Sequence, residues 1–182
     1  HSDNANATNA VTSAARQFLV ADDAALSASA KRVWEDSLAQ STALLTALPD
    51  RGDFTSFITD VYGNAGTDPD TLATAIHKLS GELRGQGLGI TVTLLDSTAM
   101  QGSVGAYAAV SPDGSEGIYI NASWLNGGAT ADSLRHVLLH EVGHAIDHRL
   151  NGQNDSPGEE GELFADRIDG TPVSYTHLRA HE

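Results

Sequence analysis

Residues 138–151 read LLHEVGHAIDHRLN, and this stretch decides how the rest of the chain is organised. Leu134, Leu138, Val142, Ala145 and Ile146 recur at three- and four-residue spacing, the period of a helix with one apolar side. The pattern predicts a central, buried helix from about Thr130 to Leu150, stopped by Asn151-Gly152. His140 and His144 lie on its other side. Positions i and i+4 share a helix face about 6 Å apart along the axis, so two imidazoles there can point at one metal ion. Glu141 is rotated by about 100° from His140 on the same wheel. From there its carboxylate can reach a water at such an ion without being a ligand itself. His140-Glu141-Val142-Gly143-His144 is therefore an HExxH constellation with two metal ligands and a general base.

Zinc sites that activate water keep three protein ligands. His148 fails as the third, because eight residues from His140 is about 12 Å along a straight helix. The HExxHxxGxxH arrangement fails as well, since Asp147 and Leu150 occupy its glycine and final histidine positions. Glu162, eighteen residues after His144, stands on a second helix expected through Glu162, Phe164 and Ile168. A helix-turn-helix would bring it back to the histidines. Asp166 lies one turn further on, where it can hold a ligand histidine by its other ring nitrogen. Glu159 and Glu160 are rival ligands whose nearer role is at the helix start, after Ser156, Pro157 and Glu159 in a capping box. His136, one turn before His140, reads as a surface or supporting residue, and His77 as a solvated helix position.

Upstream, ITVTLLDS (90–97) is strand-like, and GAYAAV (105–110), the turn SPDG and GIYINASW (117–124) read as a hairpin, with Asn126-Gly127-Gly128 closing the segment. From about Ala10 to Arg84 the pattern is helical, with breaks at Pro49–Gly52 and Gly63–Pro69 and a cap at Asp70 or Thr71. The organisation expected is a polar lead-in (1–9) and a single α+β domain (10–172), helical over 10–84 and sheet plus metal-binding helices over 85–172. Residues 173–182 (VSYTHLRAHE) resemble the conceptual translation of a transposon-end adapter and are excluded from fold reasoning, His177 and His181 with them.

Composition narrows the partners. Across 182 residues, Lys plus Arg total 10 and Asp plus Glu 24, a net charge of -14 that repels nucleic acid and anionic membrane surfaces. Cys is 0, which excludes disulfides and thiolate sites, and no apolar run is long enough to insert in a membrane. The acidic stretches Asp68–Asp70 and Asn154–Glu160 carry residue types suited to Ca2+, but neither has the DxDxDG spacing of a calcium loop.

HEVGHAID followed by ELFAD is similar to the zinc-peptidase domain of anthrax lethal factor and its relatives, which pair an HExGHAxD helix with a later ExFA[ED] helix. The ExxxD spacing of Glu162 and Asp166 is shared with thermolysin. Over roughly Gly105 to Ile168 the chain resembles more closely a zincin-like domain found inside very large, repetitive, secreted bacterial proteins of the RTX calcium-binding type. The resemblance implies a zincin-like fold of the glutamate-zincin (gluzincin) kind and a zinc-dependent metallopeptidase, a hydrolase acting on a peptide or protein substrate. It assigns one catalytic Zn2+ to His140, His144 and Glu162, and the general base to Glu141. It implies secretion and a longer parent polypeptide. It also implies that the strand Ala106, Tyr107, Ala108 lines up an extended substrate along its edge. One departure bears on activity: lethal factor has a tyrosine seven residues before its ligand glutamate, and that position here is Asp155. Tyr107 or Tyr119 would have to stabilise the transition state instead, or each is a sheet-packing aromatic. The rival expectations are a non-catalytic, metal-stabilised module of a large secreted adhesin or toxin-like protein, and autoprocessing of the parent chain.

Overall fold

The computed structural model describes residues 16–152 and 159–169. The elements run β1 (Phe18–Val20), α1 (Ala28–Ala47), a 3-10 turn (Leu48–Asp50), α2 (Phe54–Tyr62), α3 (Pro69–Arg84), β2 (Ile90–Leu95), β3 (Gly105–Ala108), β4 (Gly117–Asn121), α4 (Ala122–Asn126), α5 (Ala131–Asn151) and α6 (Glu160–Asp169). This is a mixed α+β fold that combines helices with a small four-stranded sheet.

The strand order is β1-β2-β4-β3. β1 pairs parallel with β2, and β2 parallel with β4, whereas β3 and β4 run antiparallel. The expected antiparallel sheet is thus mixed. The hairpin from β3 to β4 is local, but β4 then inserts beside β2 and leaves β3 at the edge. β1 corrects a second expectation, because it lies inside the stretch that reads as helical. Its three residues pair with Ile90, Thr91 and Val92, and Gln17 anchors it: the buried amide donates to the Leu83 carbonyl and accepts from Leu88 N. β4 stops at Asn121 instead of continuing to Trp124, because the Asn121 side chain accepts from Trp124 N and caps α4. α3 begins earlier than expected, with Asp68 as its cap through Thr71 N and Pro69 in its first turn.

α5 is the spine. Thr130 and Ser133 form a reciprocal capping box at its start, a device contributing about 1 kcal/mol. Leu134, Leu138, Leu139, Val142, Ala145 and Ile146 are buried on it, against α1, α3, α6 and the sheet. Phe164 from α6 is fully buried, stacked on Phe57 at 5.7 Å and tilted against Tyr62 at 6.4 Å. A side chain of that size contributes roughly 2–3 kcal/mol by burial, so it fixes α6 against both α2 and α5. The lead-in 1–9, the tail 173–182, Ser156, Pro157 and Asp155 lie outside the described residues.

Candidate metal centre

Two glycines create the site. A Cβ on Gly143 of α5 would come within 2.8 Å of Gly161 Cα, and one on Gly161 within 2.9 Å of the His140 carbonyl and 3.1 Å of His144 Nε2. Backbone meets backbone at this crossing, which no larger residue permits. The close approach drops Glu162, the residue after Gly161, onto the histidine face of α5. Its Oε1 lies 2.9 Å from His136 Nε2 and 3.1 Å from His140 Nδ1. Arg135 ties the far end of the crossing, Nη2 to Asp169 at 3.2 Å.

His136, His140 and Glu162 thus offer three ligand atoms within 4.8 Å of one another, all on buried residues, a group able to bind a metal ion. Two ligands of a tetrahedral ion with bonds near 2.0–2.1 Å stand about 3.3 Å apart. The Glu162–His136 and Glu162–His140 pairs, at 2.9 and 3.1 Å, need to open by only a few tenths of an ångström. The nitrogen and oxygen chemistry of the set fits zinc and other imidazole-preferring divalent ions.

The electrostatics favour ligation. Burial pushes His140 down to about 4, with the neighbouring His144 adding to the shift and the Glu162 hydrogen bond opposing it. A neutral imidazole is the form that binds metal. Burial acts to raise Glu162, but hydrogen bonding and charge from His136 and His140 outweigh it and hold the carboxyl below its usual value. The site therefore presents an ionised carboxylate beside a His140 ring that burial keeps neutral.

The other residues singled out in the sequence fall around this group. The His144 ring is 5.0 Å from that of His140, edge to face, and its Nδ1 is 3.7 Å from Glu160 Oε1, so it stands one turn beyond the three-residue group. Asp166 Oδ1 approaches His136 Nδ1 at 3.9 Å, on the opposite side of that ring from Glu162. Glu141 is buried and faces the sheet: a Cβ on Gly105 of β3 would lie 3.2 Å from its Oε2. Strand alternation divides the rest. Gly105 and Tyr107 look toward α5, while Ala106, Ala108 and Tyr119, the partner of Ala106, look away from it. Tyr107 donates its hydroxyl to Glu116 Oε2 at 2.6 Å, and Tyr119 donates to Ser111 Oγ at 2.7 Å. Asp147 accepts from Asn151 Nδ2 at 2.6 Å, within a buried network that also holds the Tyr62 carbonyl. His77 is exposed on α3.

His136 is the residue that sequence reasoning undervalued. It is 2 % exposed and in contact with Glu162. Its spacing, one turn before His140, was a visible signal, but an HExxH reading looks downstream of the motif and not upstream. Comparison with known proteins supplies no relative to weigh against this geometry: no family model, no curated protein and no solved structure matches the chain.

Proposed function

We propose that the chain is a zinc-dependent peptide hydrolase of the zincin kind. One observation carries the reading: Glu162 on α6 reaches the histidine face of α5 while Glu141, on the same helix, keeps its carboxylate on the side of edge strand β3. His140 and Glu162 would hold the ion, with one of the flanking imidazoles, His136 or His144, completing the set. Zinc held there would supply Lewis-acid polarisation of a carbonyl and a lowered pKa for water, the chemistry that hydrolysis near neutral pH needs. The chain's own residues do the rest. Glu141 takes the proton from the attacking water and returns it to the leaving nitrogen, with no covalent intermediate. Among the described residues β3 pairs on one side only, with β4, so its outer edge can align an extended peptide by main-chain hydrogen bonds. The family resemblance adds an extracellular setting within a longer polypeptide.

Elemental analysis combined with peptide-library turnover tests this. Wild type carries one zinc and cleaves. Glu141→Gln keeps the zinc and loses turnover by about 10²–10⁴-fold. Glu162→Ala loses the zinc. Stoichiometric zinc retained in Glu162→Ala would sink the ligand assignment, and turnover unchanged in Glu141→Gln would sink the mechanism.

A second reading is a metal-stabilised module without activity. It is favoured by the engagement of both candidate phenols elsewhere, Tyr107 with Glu116 and Tyr119 with Ser111. Zinc bound with no turnover of any peptide decides for it.

A further inference from the structure

Arg149, in the last turn of α5, meets Glu116 with both terminal nitrogens, Nη1 to Oε2 at 2.7 Å and Nη2 to Oε1 at 2.9 Å. The same Oε2 receives the Tyr107 hydroxyl at 2.6 Å. From that anchor the Tyr107 ring faces His144, its plane 23° from the imidazole and its centroid 6.5 Å away. Arg149 is itself held by the carbonyls of Ala145 at 3.1 Å and Leu88 at 3.4 Å, with Glu82 of α3 at 3.8 Å. A continuous chain of contacts therefore runs from α3 through Arg149 and Glu116 to β3, and from β3 back to the histidine face of α5.

The arrangement is more than a surface ion pair. Both partners are mostly covered, at 19% and 21% side-chain exposure, and a two-point guanidinium–carboxylate contact fixes orientation as well as distance. A free phenol on β3 could swing. This one has its oxygen pinned, and burial together with the Glu116 hydrogen bond raises its pKa, so it stays a donor. Two residues earlier on the strand, the bare Cα of Gly105 sits against Val137 and Glu141. β3 is thus seated on α5 at two points, glycine over the candidate base and tyrosine over His144.

We infer that Glu116 and Arg149 are positioning residues, which hold Tyr107 so that its ring orients the His144 imidazole and keeps β3 seated over Glu141. Tyr107 in this role is a brace and not a transition-state stabiliser. The consequence for catalysis rests on the metallopeptidase reading; the brace itself does not.

The test uses Glu116→Ala, Glu116→Gln and Tyr107→Phe in the full chain. In metal-free protein, the His144 ring-proton NMR shifts report shielding by the Tyr107 ring. Glu116→Ala and Tyr107→Phe should move them, and Glu116→Gln, whose amide oxygen still accepts from the phenol, should restore most of the wild-type shift. In zinc-loaded protein, Glu116→Ala should lower kcat by on the order of ten- to a hundredfold, the range for a displaced catalytic geometry, with KM changing less. Tyr107→Phe removes only the hydroxyl and stays informative if Glu116→Ala fails to fold. Unchanged His144 shifts in Tyr107→Phe overturn the brace, and altered shifts with unchanged kcat overturn its consequence for catalysis. A wild type that binds no zinc defeats the functional reading, while the metal-free shifts still decide whether the brace exists.

Discussion

The two sides of α5 are built by opposite means. Toward α6, backbone touches backbone through Gly143 and Gly161, and a carboxylate is carried into contact with the histidines. Toward β3, a single glycine spaces the strand from the helix by side chains, Val137 and Glu141 at one end and Tyr107 over His144 at the other. The first contact has no slack and sets which atoms form the donor group. The second has side-chain ends that can give and sets what lies above that group. If this division is correct, changes on the α6 side should alter metal binding and stability together, whereas changes on the β3 side should alter turnover first.

The largest effect should come from the donors themselves. His136→Ala is expected to weaken zinc binding by more than the roughly 10–100-fold typical of losing an outer hydrogen bond to a ligand. His144→Ala is expected to cost less. The reason is geometric: His136 Nε2 is already 2.9 Å from Glu162 Oε1 and belongs with His140 and Glu162 to the buried group whose donor atoms lie within 4.8 Å of one another. Competition titration with a zinc chelator measures both. A reversed order would place the ion between His140 and His144, one turn further along α5.

A comparable effect follows from pH in the metal-free protein. Burial pushes His140 down to about 4 in the folded chain, from the ordinary histidine value of 6.5. Below about pH 6.5 the unfolded chain takes up a proton that the folded chain refuses. Stability should therefore fall as pH drops from 6.5 to about 4, by up to about 3 kcal/mol for this group. Glu162, lowered by His136 and His140, adds a further loss below its unfolded value of 4.5. Urea titrations at pH 7 and pH 5 measure the change. Zinc should flatten it, because bound metal excludes the proton. A metal-free protein equally stable at both values would mean that the histidine face is not sheltered.

Much of this is legible in the amino-acid sequence alone. The α5 span follows from its apolar period and its stop at Gly152, and the hairpin from GAYAAV, SPDG and GIYIN. Such signals are local, each element announcing its own type. What the sequence pattern does not carry is the partner. β1 is three residues long, too short for any period, and exists because β2, some seventy residues away, offers a parallel edge. The insertion of β4 beside β2 is likewise invisible, since β3 lies between them in the chain and nothing marks which neighbour wins. At the site, Glu162 was legible from helix-turn-helix spacing. The burial of His136 depends on the Gly143–Gly161 crossing, and neither glycine looks unusual on its own.

The glycine contacts separate the two sides directly. Gly161→Ala places a methyl against the His140 carbonyl, which is backbone and cannot step aside. Overpacking of this kind costs about 1–3 kcal/mol, and the displaced α6 should weaken zinc binding as well. Gly105→Ala meets the Val137 methyl at 2.5 Å and Glu141 Oε2 at 3.2 Å, both side-chain atoms. Its cost in stability should be smaller, with zinc affinity retained and kcat reduced because Glu141 has moved. Thermal unfolding, zinc titration and turnover on the two variants form a cross-check, and equal losses of zinc affinity would erase the proposed division between the sides.

The smallest predicted effect tests what holds the α6 crossing from behind. Tyr62, fully buried at the end of α2, donates its hydroxyl to the Gly143 carbonyl at 2.7 Å and tilts its ring against Phe164. Burial, and then the charges of Asp147 and Glu160, raise this phenol's pKa, so it remains a donor across the working range. Tyr62→Phe keeps the ring packing and removes one hydrogen bond, a change of about 1 kcal/mol. The Gly143 carbonyl faces a buried ring and has little access to a replacement water, so the loss should persist with and without zinc. Chemical denaturation of both forms measures it. A loss confined to the zinc-free form would show that α6 is positioned by the metal and not by the packing of α2, which would move the origin of the site from the glycine crossing to the ion itself.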